Sequence, residues 1–227
     1  MFLASFVSGA WQANCYLLAA AEKDECVIVD PGQDAAPLVA EVVGEHGLRP
    51  AAVLATHGHF DHVADAAAVA DQYGVPVYIH RADRHLLSDP GAGLDPGGAA
   101  MVRRLVGADM AEPVQLRLYE ESLQVAGLDF AIHHAPGHTA GSVLLALATT
   151  EHPGVEQIVF SGDVVFAGSV GRTDLPGGDQ PTMLRSLREV VLKLPDRAAL
   201  LPGHGPQTSM AVERVQNPYL QPDFLRN

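Results

Sequence analysis

The stretch Thr56-His57-Gly58-His59-Phe60-Asp61-His62 packs three imidazoles and a carboxylate into one short turn. Nitrogen and oxygen donors at this density, without thiolate, are the set that zinc, iron or manganese takes from a protein. Where a chain leaves a strand still extended, residues two apart point the same way, so His57 and His59 can converge on one cation. Gly58 lets the backbone turn between them. Asp61 and His62 fall where a helix should begin and project from another direction, which points to a second ion beside the first. The plain alternative is a polar turn with Asp61 as a helix cap; three histidines in this register weigh against it.

The elements that must position this turn can be read on either side of it. Ala51 to Ala55 is an apolar run that reads as a buried strand, and Ala64 to Tyr73 reads as a helix. Upstream, Phe2–Val7, Asn14–Leu18 and Cys26–Val29 read as short strands, the last ending in the turn signal Asp30-Pro31-Gly32. Asp34 to His46 reads as a helix with Leu38, Val42 and Val43 on its apolar face. Downstream, Val75–Ile79 is the next strand, and Ser88 to Gly98 is a loop by composition, placed as a surface excursion near the site. Val114–Leu118, Leu123–Val125, Leu128–His133, Ser142–Ala148, Gln157–Phe160 and Ala199–Leu201 read as strands; Pro181–Lys193 and Ser209–Gln216 read as helices. Two sheets, each covered outside by helices, is the architecture this mixture favours. Residues 1–227 are expected to form one domain.

Three later segments repeat the grammar of the first: a strand end, a glycine, then one metal-ligand side chain. They are Pro136-Gly137-His138, Ser161-Gly162-Asp163 and Pro202-Gly203-His204. Strands that finish at one sheet edge would bring these groups together.

The set His57, His59, Asp61, His62, His138, Asp163 and His204, in that order, resembles the metallo-β-lactamase superfamily. Within it the chain looks like the short-form glyoxalase II (hydroxyacylglutathione hydrolase) branch. Val29-Asp30-Pro31-Gly32, Gly168-Ser169-Val170-Gly171-Arg172-Thr173-Asp174 and Asn217-Pro218-Tyr219-Leu220 carry further parts of the likeness. The resemblance implies an α/β fold, a four-layer αββα sandwich. It implies that His57, His59 and His138 hold one divalent metal, that Asp61, His62 and His204 hold a second, and that Asp163 bridges both. Zinc is the expected ion, with iron or manganese as alternatives. A hydroxide shared by two ions, oriented by Asp61 and Asp163 as catalytic carboxylates, would attack an acyl-thiol such as S-lactoylglutathione. Two rivals share the fold: a persulfide dioxygenase with a single iron, and a lactonase or β-lactam hydrolase. A non-catalytic module with structural metal fits less well, because structural zinc sites are closed by four ligands. Long-form glyoxalase II grips glutathione with basic residues of a helical C-terminal domain, whereas the residues after His204 offer only Arg214 and Arg226 as cations.

The remaining residues get plainer readings. Asp30 is expected to orient a ligand imidazole from behind. Arg172 and Asp174 read as a structural ion pair, Leu175-Pro176-Gly177-Gly178 as a turn, His134 as at best adjacent to the site, and His46, His80, His85 and His152 as surface residues without partners. Lys and Arg total 14 against 27 for Asp and Glu, a net charge of -13, which disfavours nucleic acid as a partner. At 48% hydrophobic and 18% charged, 227 residues suit a soluble protein with a sizeable core. Cys15 and Cys26 read as buried free thiols of a reducing cytoplasm. The first residues lack a signal-peptide pattern, and no apolar run is long enough to span a bilayer.

Overall fold

The computed structural model describes residues 1–106 and 110–226. The first half supplies strands β1 (Phe2–Ser8), β2 (Ala13–Ala19), β3 (Glu25–Val29), β4 (Arg49–Leu54), β5 (Val77–Ile79) and β6 (Leu116–Leu118), with helices α1 (Ala36–His46), α2 (Phe60–Val63), α3 (Ala66–Tyr73) and α4 (Pro96–Val106) between them. The second half supplies β7 (Ser122–Val125), β8 (Leu128–His134), β9 (Val143–Ala148), β10 (Gln157–Gly162), the small hairpin β11 (Val165–Phe166) and β12 (Ser169–Val170), then α5 (Gln180–Glu189), β13 (Ala198–Pro202), β14 (Thr208–Ser209), α6 (Met210–Gln216) and α7 (Pro222–Leu225).

Strands β1 to β6 form one sheet in sequence order, and β14-β13-β10-β9-β8-β7 form the other. In the first sheet β3, β4 and β5 run parallel, so each finishes at the same edge. In the second, β10 and β13 run parallel and finish together in the same way.

Alternation along the strands builds the layers. On β2, Tyr16 and Leu18 face the second sheet and meet Phe130, Leu145, Phe160 and Leu201. Cys15 and Leu17 face the other way, onto Val39 of α1 and Val69 and Ala70 of α3. On the second sheet Leu144, Val159 and Leu200 turn outward onto Met183 and Leu187 of α5 and Met210 of α6. Period-2 patterning therefore gives helix, sheet, sheet, helix. Phe160 is fully buried between the sheets, where truncating a ring to alanine costs about 3–5 kcal/mol. The thiols of Cys15 and Cys26 are buried and unpaired, and burial pushes the Cys26 thiol up to about 12.

Local differences from the sequence reading have local causes. Helix α1 starts at Ala36 rather than Asp34, and its first free N–H, that of Ala36, is capped by Asp65 across 2.9 Å. Its buried residue is Val39, with Val42 and Val43 beside it, not Leu38. The segment expected to be loop through Gly98 turns helical at Pro96. Asp95 accepts from the N–H groups of Gly97 (2.9 Å) and Gly98 (3.1 Å), and proline at a first helical turn loses no intrahelical bond. The α5 segment ends at Glu189, and a 3-10 turn over Val191–Lys193 follows it.

Candidate metal centre

Five strand ends and their following turns carry the site. β3 delivers Asp30, β4 delivers His57 and His59, and α2 opens with Asp61 and His62. From the second sheet, the β8–β9 connection delivers His138, β10 delivers Asp163 and β13 delivers His204. All seven residues singled out by spacing and likeness meet in one place.

They meet as two groups. Nitrogens of His57, His59 and His138 lie within 4.8 Å of one another, as do the donor atoms of Asp61, His62 and His204. His59 Nδ1 is 2.9 Å from His138 Nε2, and His62 Nε2 is 3.2 Å from His204 Nε2. Asp163 stands between the groups: Oδ2 is 3.5 Å from His138 Nε2 and 3.6 Å from His204 Nε2, and Oδ1 is 3.4 Å from His62 Nε2. Asp30, His57 and His62 also lie close enough to hold an ion. The Asp30 oxygens are otherwise engaged, however, accepting from Thr56 N–H (2.7 Å), Thr56 Oγ1–H (2.6 Å) and His62 Nδ1–H (3.0 Å). Asp30 thus supports an imidazole from behind, as its position at a strand end suggests.

Tautomers decide what the cluster can accept. His138 Nδ1 lies 2.8 Å from the carbonyl of Arg172, and His204 Nδ1 lies 3.3 Å from the carbonyl of Gln12. A carbonyl only accepts, so each of those Nδ1 atoms carries the proton, as does His62 Nδ1 facing the Asp30 carboxylate. All three rings then turn Nε2 inward. His62 Nε2 and His204 Nε2 lie 3.2 Å apart beside the carboxylates of Asp163 and Asp61; a proton, or a cation in its place, satisfies that contact. Ligand nitrogens about 2.0–2.1 Å from a tetrahedral ion stand roughly 3.3 Å apart, close to the spacing seen. The buried atoms His57 Nε2 and Asp163 Oδ1 have no hydrogen-bond partner. The donor set therefore fits divalent ions.

Electrostatics separate the two groups. Burial and the neighbouring imidazoles hold His57 well below its ordinary value, His59 at about 3 and His138 at about 4. At neutral pH those rings are unprotonated and free to ligate. Around His62, burial is outweighed by Asp163, Asp61 and Asp30, which push the ring upward, and the carboxylate of Asp61 is held far down. That side attracts positive charge. Gly203 lets it close up, because a Cβ there would sit 2.2 Å from Asp163 Oδ1 and 2.6 Å from His62 Cε1.

A family model described as the metallo-beta-lactamase superfamily matches residues 8–204. The chain belongs to that superfamily. Its relatives include the probable metallo-hydrolase YqgX of Bacillus subtilis, 38% identical over 93% of this chain and 94% of the relative. The hydroxyacylglutathione hydrolase GloC of Haemophilus influenzae is 34% identical over the same shares. Among solved structures, the BLEG-1 B3 metallo-beta-lactamase aligns with a TM-score of 0.81 at 37% identity, covering 97% of this chain and all of that one. TTHA1623 in a di-iron-bound form aligns with a TM-score of 0.74 at 35% identity, covering 96% of this chain and 100% of that one. The αββα arrangement is the metallo-β-lactamase fold, which binds divalent metal ions, and the protein is a metal-dependent hydrolase of that superfamily.

In this metallo-β-lactamase site the donor side chains open onto a cleft of about 370 Å3, walled by Trp11, Phe60, Leu94, Phe166 and Leu175. Arg172 reaches the same cleft but forms a bidentate pair with Asp174 (2.6 and 2.7 Å), the structural role expected of it. His133 and His134 join neither donor group. The expectation that His46 and His80 lack partners fails: His80 stacks on His134 with ring centroids 4.1 Å apart, and His46 lies against Phe2 at 4.6 Å. Sequence reasoning passed over the cleft wall and Asp83, a carboxylate just beyond β5. Asp83 lies beyond the end of β5 with no glycine before it, so the strand-end, glycine, donor grammar that found Asp163 and His204 does not reach it. The aromatic wall gave no signal either, since Phe60 and Phe166 look like ordinary core residues.

Proposed function

We propose that the protein hydrolyses acyl-thiols, S-lactoylglutathione being the reference substrate, with two divalent ions, zinc first among them. His57, His59 and His138 would hold one ion, Asp61, His62 and His204 the other, with Asp163 shared. The observation that carries this is the position of Asp163, whose two oxygens face donors of both groups at 3.4–3.6 Å. When bound, such ions supply Lewis acidity that makes water a nucleophile at neutral pH and polarises a carbonyl.

The chain's residues do the rest. The carboxylate of Asp163 accepts the proton of the attacking water, and the ionised carboxylate of Asp61 fixes its direction by accepting a hydrogen bond from it. Trp11, Phe60, Leu94, Phe166 and Leu175 seat the acyl group and exclude bulk water. A thiol of ordinary pKa about 8.5 leaves readily as thiolate, so no general acid is required on that side. The 34% identity to a hydroxyacylglutathione hydrolase supports this substrate class. Likeness to the B3 metallo-beta-lactamase supports β-lactam hydrolysis as the second reading. No described helix is long and apolar enough to cross a membrane. Two neutral, buried thiols suit a reducing compartment, and the protein would work in the cytoplasm on a small molecule, without nucleic acid.

The test is one metal-loaded preparation assayed on a panel of S-acyl thiols, lactones, β-lactams and glutathione persulfide. The highest kcat/KM is expected on an S-acyl thiol. Turnover of another class with none on any acyl-thiol, or oxygen uptake on the persulfide, would overturn it.

A further inference from the structure

We propose that Asp83 is a positioning residue for the three-imidazole group, tying the His57–His59 turn to the His138 loop and so setting the affinity of that group's ion separately from the other's. This rests on the two-ion reading above.

Asp83 is only 1% exposed and its carboxylate is fully engaged. Oδ2 accepts from Gly58 N–H at 2.9 Å and from Thr139 Oγ1–H at 2.6 Å; Oδ1 accepts from Gly141 N–H at 2.7 Å. Gly58 lies between His57 and His59, on the turn that leaves the first sheet. Thr139 and Gly141 follow His138, on a connection of the second sheet. The three imidazoles therefore come from two sheets, and a single side chain on a third segment bridges the two loops that bear them. Between the loops there is one backbone bond, Val143 N–H to the Thr56 carbonyl at 2.9 Å. The fit around Asp83 is close: a Cβ on Gly141 would fall 2.5 Å from Asp83 Cγ. The other donor group has Asp30 directly behind His62 and the Gln12 carbonyl behind His204; Asp30 reaches His57 only through the Thr56 hydroxyl, which lies 3.1 Å from His57 Nδ1.

Two backbone N–H groups and a hydroxyl converge on Asp83, so the chemistry asks for a group that accepts on both oxygens. Asparagine has the same shape with one accepting oxygen. Whichever way its amide turns, an NH2 faces either Gly141 N–H or Gly58 N–H, and one side of the tie is lost. Partners that orient metal ligands typically change affinity by about 10–100-fold when replaced.

Zinc competition against a chromophoric chelator, on full-length protein, reads two binding constants. His59→Ala and His204→Ala assign each constant to its donor group. Asp83→Asn is expected to weaken the three-imidazole constant about 10–100-fold and leave the other within about twofold. Thr139→Val removes one donor at constant shape and should weaken the same constant by a smaller factor, which decides the matter if Asp83→Asn does not fold. Both constants unchanged in both variants, or an equal fall of the two constants, would overturn the role of Asp83. A wild type with only one zinc constant would overturn the two-ion reading itself, and this inference with it.

Discussion

The two donor groups of the site solve one problem with opposite materials. His57, His59 and His138 are neutral, almost fully buried rings, held down by desolvation and by one another. Asp61, His62 and His204 share three carboxylates with Asp30 and Asp163, and the side chains of Asp61 and His204 remain 17% and 28% exposed. The first group gains its readiness from burial, which keeps protons off nitrogen; the second gains it from negative charge, which draws a cation in. Burial and charge are different physical routes to a site that accepts a cation, so the groups should fail separately except where Asp163 joins them.

The largest effect is therefore expected at that junction. Asp163→Asn should lower kcat/KM by about a thousandfold, within the range for loss of a catalytic proton acceptor, and leave fewer than two zinc equivalents by elemental analysis. His59→Ala and His204→Ala should each remove one equivalent and keep the other; a variant that loses both at once would break the comparison. Asp30→Asn should weaken the ion held by His62 by about 10–100-fold, and the ion held by His57 by less, because Asp30 meets His62 directly and His57 only through Thr56, as read by zinc competition. Next in size, Phe166→Ala should raise KM for bulky acyl groups by about tenfold, given 1–3 kcal/mol for a pocket contact, with kcat nearly constant. Smallest of all, Arg172→Ala opens an exposed ion pair, and the melting midpoint should move by no more than about 2 °C.

The same contrast explains what could be read from the residues alone. The His-x-His-x-Asp-His turn and the three glycine-ligand strand ends were legible because extended strands impose a direction on alternate side chains, and the turn after each strand has few functions to choose from. Two sheets under helices were legible from the mixture of strand and helix segments, and the sandwich from the family resemblance; which side chains of β2 face which layer is shown by the structure, where Tyr16 and Leu18 part from Cys15 and Leu17. Helix α4 was hidden because Pro96, Gly97 and Gly98 are poor helix formers whose capping by Asp95 outweighs their composition. The bridging of two loops by Asp83 was hidden for another reason. Its partners are two backbone N–H groups and a hydroxyl more than twenty positions away, and a carboxylate that satisfies backbone leaves no pattern in sequence.

The anomalous scattering of zinc-loaded crystals, collected at the zinc edge, bears most directly on the shared carboxylate. Two peaks are predicted, one among His57, His59 and His138 and one among Asp61, His62 and His204, with an Asp163 oxygen turned to each. A single peak, with Asp61 and His204 turned away from it, would contradict the account.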